Sequence, residues 1–188
     1  MLYQIISLLL DVAAGVLGGA CLLRLYLQYQ GIALSARSGN PLGPFIFALT
    51  DWLVLPLRRV VPAWRRWDLA SLVGAYLLML VQFLLLWLLA GAVAGLLVVP
   101  ILAVFGLLRL LVSSLTGLVI VYAVLSWFQT HSALTDLVER LCAPPLRPIR
   151  RLVPVVGGID LSPLVLLVLL QIDSILLGHL QAGAMQMV

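Results

Sequence analysis

Asp11, Arg109 and Asp173 each interrupt a stretch that is otherwise apolar, so any chemistry inside a membrane would have to start with them. An ionisable side chain at a bilayer centre costs about 2.5–3.5 kcal/mol on insertion scales, so it is kept for a reason. Gln82 and Gln171 are uncharged polar groups close to Asp173 in depth. Two chemistries fit these residues. One is a proton or ion pathway, and the other is an ion pair that fixes one helix against another. A pathway needs several such groups in series, which favours the pair. Asp11 and Arg109 fall at one depth with opposite signs under the internal alignment below, and they are expected to meet. Asp173, with Gln82 and Gln171, is expected to line a polar seam between helices.

Other reactive types are poorly arranged. Ser113 and Ser114 have no histidine at their depth, so hydrogen bonding between helices is their default role. His131 and His179 fall at opposite ends of the spans, which argues against intramembrane bis-histidine haem ligation. Cys21 lies in a predicted span and Cys142 in a predicted loop; no metal site or disulfide framework can be built from two such residues. "LGGAC" before Cys21 resembles a lipoprotein cleavage site. The residues ahead of it include Asp11 and no basic residue, whereas a secretory signal carries a positive n-region. The first segment is therefore read as a retained helix. With no nucleophile, metal or acid–base constellation, the sequence points away from an enzyme and implies no cofactor and no metal.

The second chemistry is that of guanidinium. All eleven basic residues are arginine, and nine of them lie in two windows, 37–66 and 140–151. A basic nucleic-acid domain spreads charge over a solvated surface. Here apolar helices bracket each window, so the net charge of +4 points to anionic headgroups rather than to nucleic acid. Arg58, Arg59, Arg65, Arg66, Arg147, Arg150 and Arg151 are the candidates for binding lipid or a partner. A planar guanidinium holds phosphate bidentately, and each basic residue near an anionic surface is worth about 1 kcal/mol.

The elements that must carry these groups follow from composition. Only 10% of the 188 residues are charged and 64% are hydrophobic, against about 25% charged in a soluble domain. Residues 69–108 contain no Asp, Glu, Lys or Arg; a membrane helix needs about 20 apolar residues. The fold class is an all-α membrane protein with four spans, at about 2–28, 69–94, 100–127 and 163–180. "AGAVAGLLVVP" forms the turn between the second and third. Arginine is absent from the termini and from that turn. The positive-inside rule therefore puts both basic loops in the cytoplasm and both termini outside. Arg24, near a cytoplasmic end, is expected to snorkel.

The loops repeat each other. Arg58, Arg59, Pro62, Asp68 and Leu69 align without a gap on Arg150, Arg151, Pro154, Asp160 and Leu161; upstream the interval grows from 92 to 98 residues. The chain thus divides into repeats 1–98 and 99–188, each a helix, a basic loop (37–67 and 131–160) and a helix. Two spans per repeat make the repeats parallel, about an axis along the membrane normal. Each loop also holds a short interfacial helix, expected to stop at Pro56 in one and at Pro144-Pro145 in the other. Pro148 and Pro154 are expected to keep the segment between them from running on as a helix. Gly15, Gly18, Gly19 and Ala20 form a small-residue face for close packing, against the second repeat or another copy.

In "PLRPIRRLVPVVGGIDLSP", Ser162 before Pro163 reads as an N-cap. Asp160 puts negative charge at the positive helix end, and Gly157-Gly158 allow a sharp turn. Together with "NPLGPF" (including Asn40 and Pro41), "LRRVVP" and "SWF", this signature resembles the YggT family. The resemblance covers nearly the whole chain. It implies a small integral membrane protein, often of two repeats, with no established catalytic activity. It also implies links to osmotic tolerance, to membrane or division organisation and, in plastids, to maturation of a membrane cytochrome. The first repeat departs from the signature, with "AWRRWDLAS" where the second has "VVGGIDLSP".

Two function classes remain. One is a non-catalytic organising or assembly factor that presents paired arginine loops to anionic lipid and a protein partner, alone or as a homo-oligomer. The other is a small transporter or channel component using the intramembrane polar residues.

Overall fold

A peptide group left unpaired in hydrocarbon costs several kcal/mol, so each apolar run must satisfy its backbone within itself, as a helix. Among the residues it describes, the computed structural model has six helices: α1 (Leu2–Tyr29), α2 (Gly43–Val60), α3 (Leu69–Leu89), α4 (Val98–Phe128), α5 (Ala133–Leu152) and α6 (Ser162–Gln186). It describes residues 1–32, 42–61, 67–92, 95–128, 132–152 and 160–186. Arg37, Asn40, Pro41, Pro62, Arg65, Arg66, His131, Pro154, Gly157 and Gly158 lie outside the described residues. Four of the helices, α1, α3, α4 and α6, are long and apolar enough to cross a membrane.

The ends of α1 and α3 are set by glycine. Gly31 (φ +71°) and Gly91 (φ +85°) take the left-handed conformation that a side chain disfavours. At α1, Gly31 N–H donates to Gln28 O and Ile32 N–H to Leu27 O; at α3, Gly91 donates to Leu88 O and Ala92 to Trp87 O. Both are Schellman motifs, which satisfy the last carbonyls of each helix. In α1 the motif's apolar contact is also present, because Ile32 packs on the cluster containing the buried Leu27.

The spans associate as α1 on α3 and α4 on α6, with α3 and α1 both meeting α4; α2 packs on α1 and α3, and α5 on α4 and α6. Small residues permit the close approaches. A β-carbon on Gly18 would lie 2.7 Å from Leu110 Cδ2, so this glycine packs against α4 of the same chain.

Both α2 and α5 run through prolines at which the sequence pattern predicts a helix end. Pro56 lies inside α2, and Pro144, Pro145 and Pro148 lie inside α5. An interior proline forfeits one hydrogen bond and costs about 3 kcal/mol. Burial of one face outweighs that loss. Ile46, Thr50 and Val54 are buried along α2, and Leu137, Val138, Leu141, Cys142, Leu146 and Ile149 along α5. In α5 the spacing of three and four residues continues past every proline, and in α2 the half-buried Leu57 carries it past Pro56. Cys142 is consequently a buried helix residue rather than a loop residue. Burial pushes its thiol up to about 12.

At one end of the bundle α2 and α5 contribute to a shared apolar cluster. Leu27 of α1, Ile46 of α2 and Leu137 and Leu141 of α5 form one buried cluster. Tyr26 Oη donates to Leu141 O at 2.8 Å, tying α1 to α5.

Candidate functional site

The arginine signature resolves into two clamps. Arg58, in the last turn of α2, places Nη2 2.5 Å from Asp68 Oδ2 and Nε 3.4 Å from Oδ1. Arg150, in the last turn of α5, places Nε 2.9 Å from Asp160 Oδ2. Each contact joins the end of one helix, α2 or α5, to the start of the next, α3 or α6. A cation at a helix C-terminus and an anion at a helix N-terminus both suit the local dipoles. Each guanidinium also reaches the preceding span: Arg58 Nη2 donates to Gln28 Oε1 at 3.2 Å, and Arg150 Nη2 to Tyr122 Oη at 2.6 Å. One arginine thus fastens three helices in each half.

The aspartates are braced from the other side. Asp68, fully buried, accepts from Ser71 Oγ at 2.8 Å. Asp160 Oδ1 accepts from Ser162 N–H at 2.9 Å. Asp160 therefore caps α6, the part assigned above to Ser162, whose own buried Oγ has no partner among the described residues. Burial by itself would raise both carboxyls. The hydrogen bonds and charges of Arg58, Ser71 and Arg24 outweigh it at Asp68, and those of Ser162 and Arg150 at Asp160, so both lie below the usual range.

Arg24 does not snorkel. It is 2% exposed, with Nη1 2.6 Å from both Thr50 Oγ1 and Asp51 Oδ1 and Nε 3.8 Å from Asp68 Oδ2. Its guanidinium carbon lies 5.0 Å from the Phe47 ring centroid. Arg24, Asp51, Arg58 and Asp68 make a charge-balanced group that no spacing argument had joined. A signal was available: at the interval of 98, Arg24 stands where Tyr122 stands in the second half, and Tyr122 is the partner of Arg150.

The other sequence candidates divide as follows. Arg59, Arg147 and Arg151 are exposed and, with Arg140, make no ion pair among the described residues. Arg140, Arg147 and Arg151 fall on the face of α5 opposite its buried residues, at intervals of seven and four. Pro148 is exposed at this end, and Pro163 lies buried in the first turn of α6.

The intramembrane pair is not formed. Asp11 Oδ1 accepts from Gln82 Nε2 of α3 at 2.5 Å, and Arg109 Nη2 donates to Gln181 Oε1 of α6 at 3.1 Å. Equal depth is a statement along the membrane normal and leaves the direction around each helix open. The polar seam is not formed either. Gln82 is taken by Asp11, whereas Gln171 and Asp173 are exposed on α6. Among the described residues, no three His, Cys, Asp or Glu side chains group to hold a metal.

Compared with known proteins, the chain matches the family model described as CCB3/YggT over residues 2–89 and 101–181. It is 35% identical over 162 residues to an uncharacterised protein of the proC 3′ region in Vibrio alginolyticus, 85% of each chain. It is 37% identical over 157 residues to the uncharacterised YggT protein of Escherichia coli strain K12, 80% of this chain and 77% of that one. An uncharacterised Pseudomonas aeruginosa protein is 34% identical over 171 residues, 88% and 87% of the two chains. No solved structure matches it.

Proposed function

The chain belongs to the CCB3/YggT family, and from that premise we propose a non-catalytic organising or assembly factor of the bacterial inner membrane. On this reading one end of the bundle is a basic platform that meets anionic lipid and a protein partner. It faces the cytoplasm, with both termini outside, because cytoplasmic loops retain arginine.

The observation that carries the proposal is a division of labour among arginines. Arg58 and Arg150 are held by aspartates of their own chain, and they brace α2 and α5 at one end of the bundle. Arg59, Arg140, Arg147 and Arg151 are left outward and unpaired by carboxylate among the described residues. A rigid surface with free guanidinium groups suits phosphate or carboxylate recognition.

Two parallel repeats, each with an interfacial helix, are the architecture of this reading. Several intervals support it. Buried Ile46, Thr50 and Val54 of α2 stand 92 residues before buried Val138, Cys142 and Leu146 of α5. The clamps stand 92 apart as well, and buried Cys21 and Val119 stand 98 apart. A transport pathway draws less support, since Asp11, Arg109 and Asp173 have separate surroundings rather than a common one.

The test is in-cell cross-linking with mass spectrometry on the wild type and on Arg140→Gln/Arg147→Gln/Arg151→Gln, alongside ion flux in liposomes. Loss of a prominent cross-linked partner in the variant supports the platform. An unchanged partner set, or flux that depends on Asp11 or Arg109, overturns it.

A further inference from the structure

Between α1 and the α4–α6 pair runs a groove of about 950 Å³, lined almost wholly by apolar side chains. It extends along α1 from Gly15 to Tyr29, roughly 21 Å by helical rise. Its walls are low where α1 and α4 face each other. A β-carbon added at Gly15 or at Gly117 would have no atom of this chain within 4 Å, and one at Gly19 would meet only Ser114 Oγ at 3.7 Å. Gly15 and Gly19 have the spacing at which membrane helices bring their backbones together. Here, however, no helix of the same chain fills the space they leave open. Gly18, one residue from Gly19, is the glycine that packs within the chain.

One charged side chain lines this groove. Asp173 is eleven residues past Ser162, the start of α6, or about 16 Å into a core about 30 Å thick. It has no hydrogen bond or ion pair among the described residues. Arg109, the basic residue within α4, is turned to Gln181. A carboxylate at that depth is retained where a donor or cation meets it. An acyl chain supplies neither.

We propose that the groove receives one transmembrane helix of another protein, one that carries a lysine, arginine or other strong donor level with Asp173. Gly15, Gly19 and Gly117 let that helix approach the backbones of α1 and α4, and Asp173 selects it by charge. This goes beyond the basic platform and holds whether or not the exposed arginines bind a partner.

The test uses the full chain, donor-labelled, in phosphatidylcholine liposomes with acceptor-labelled polyleucine helices. One helix carries a single lysine eleven residues from its cytoplasmic-side end, one carries glutamate there, and one is leucine throughout. Energy transfer should report association of the lysine helix at least tenfold tighter than of either control. Asp173→Asn should abolish the preference and Asp173→Glu should restore most of it. Gly117→Leu should block association by filling the groove. Because that side chain enters open space, melting and elution of the variant should match wild type. Equal binding of all three helices, or no effect of Asp173→Asn, overturns the proposal. So does energy transfer between differently labelled copies of this chain that Gly117→Leu removes, which would make the occupant a second copy.

Discussion

Arg58 and Asp68 stand ten residues apart in sequence and 2.5 Å apart in space, with the aspartate fully buried and the arginine at the edge. Arg150 and Asp160 repeat the ten-residue spacing at 2.9 Å, but with both partners about one-third exposed. The two clamps have one form and different surroundings, so they should differ in energetic weight.

Removing one partner of a buried ion pair leaves an uncompensated charge and costs about 3–5 kcal/mol, whereas exposed pairs are worth about 0–1 kcal/mol. Asp68→Asn should therefore destabilise the protein by several times more than Asp160→Asn. Denaturant unfolding in detergent micelles measures both. Equal losses would show that the burial of Asp68 has no energetic weight.

Arg24 is stabilised by Asp51, and Asp51 in turn depends on Arg24. Arg24→Tyr alone should leave Asp51 without its ion pair and lower stability. Arg24→Tyr with Asp51→Ala copies Tyr122 and Ala143 of the second half and should recover at least about 1 kcal/mol, as expected for coupled neighbours. A double variant no more stable than the single would break the equivalence of the two halves at this level.

Both clamp aspartates have carboxyl pKa values held below the ordinary 3.8. Their contribution to stability is complete above the unfolded-state pKa and is lost as pH falls through the lower folded value. Stability should thus change little above pH 3.8 on account of these groups and fall as pH drops below it. Asp160→Asn should make that fall smaller. An acid loss of full size in the variant would assign the effect to other groups.

Asp11 and Arg109 have different partners, Gln82 and Gln181. Exchanging their charges with Asp11→Arg and Arg109→Asp should therefore give no rescue. Expression of the double variant should be no better than that of the worse single variant. Asp11→Asn, which still accepts a hydrogen bond from Gln82, should be tolerated. Rescue by the exchange would restore direct pairing.

Much of this architecture was readable along the chain because hydrocarbon admits so few backbone solutions. The long run without charge from residue 69 to 108 and the arginines confined to two windows are each local or additive signals. They determine four helices long and apolar enough to cross a membrane, their approximate ends and two basic segments between them. The interval of 92 residues aligned Arg58 with Arg150 and Asp68 with Asp160 before any contact was visible. What stayed hidden was direction around each helix axis and the outcome of competition between terms. Whether Asp11 turns to Arg109 or to Gln82, and whether Arg24 reaches water or Asp51, depends on which faces the helices bury against one another. Whether α5 stops at Pro144 or runs through three prolines depends on how much apolar surface its far side covers. Those are sums over contacts between residues distant in sequence, and only the packed tertiary structure decides them.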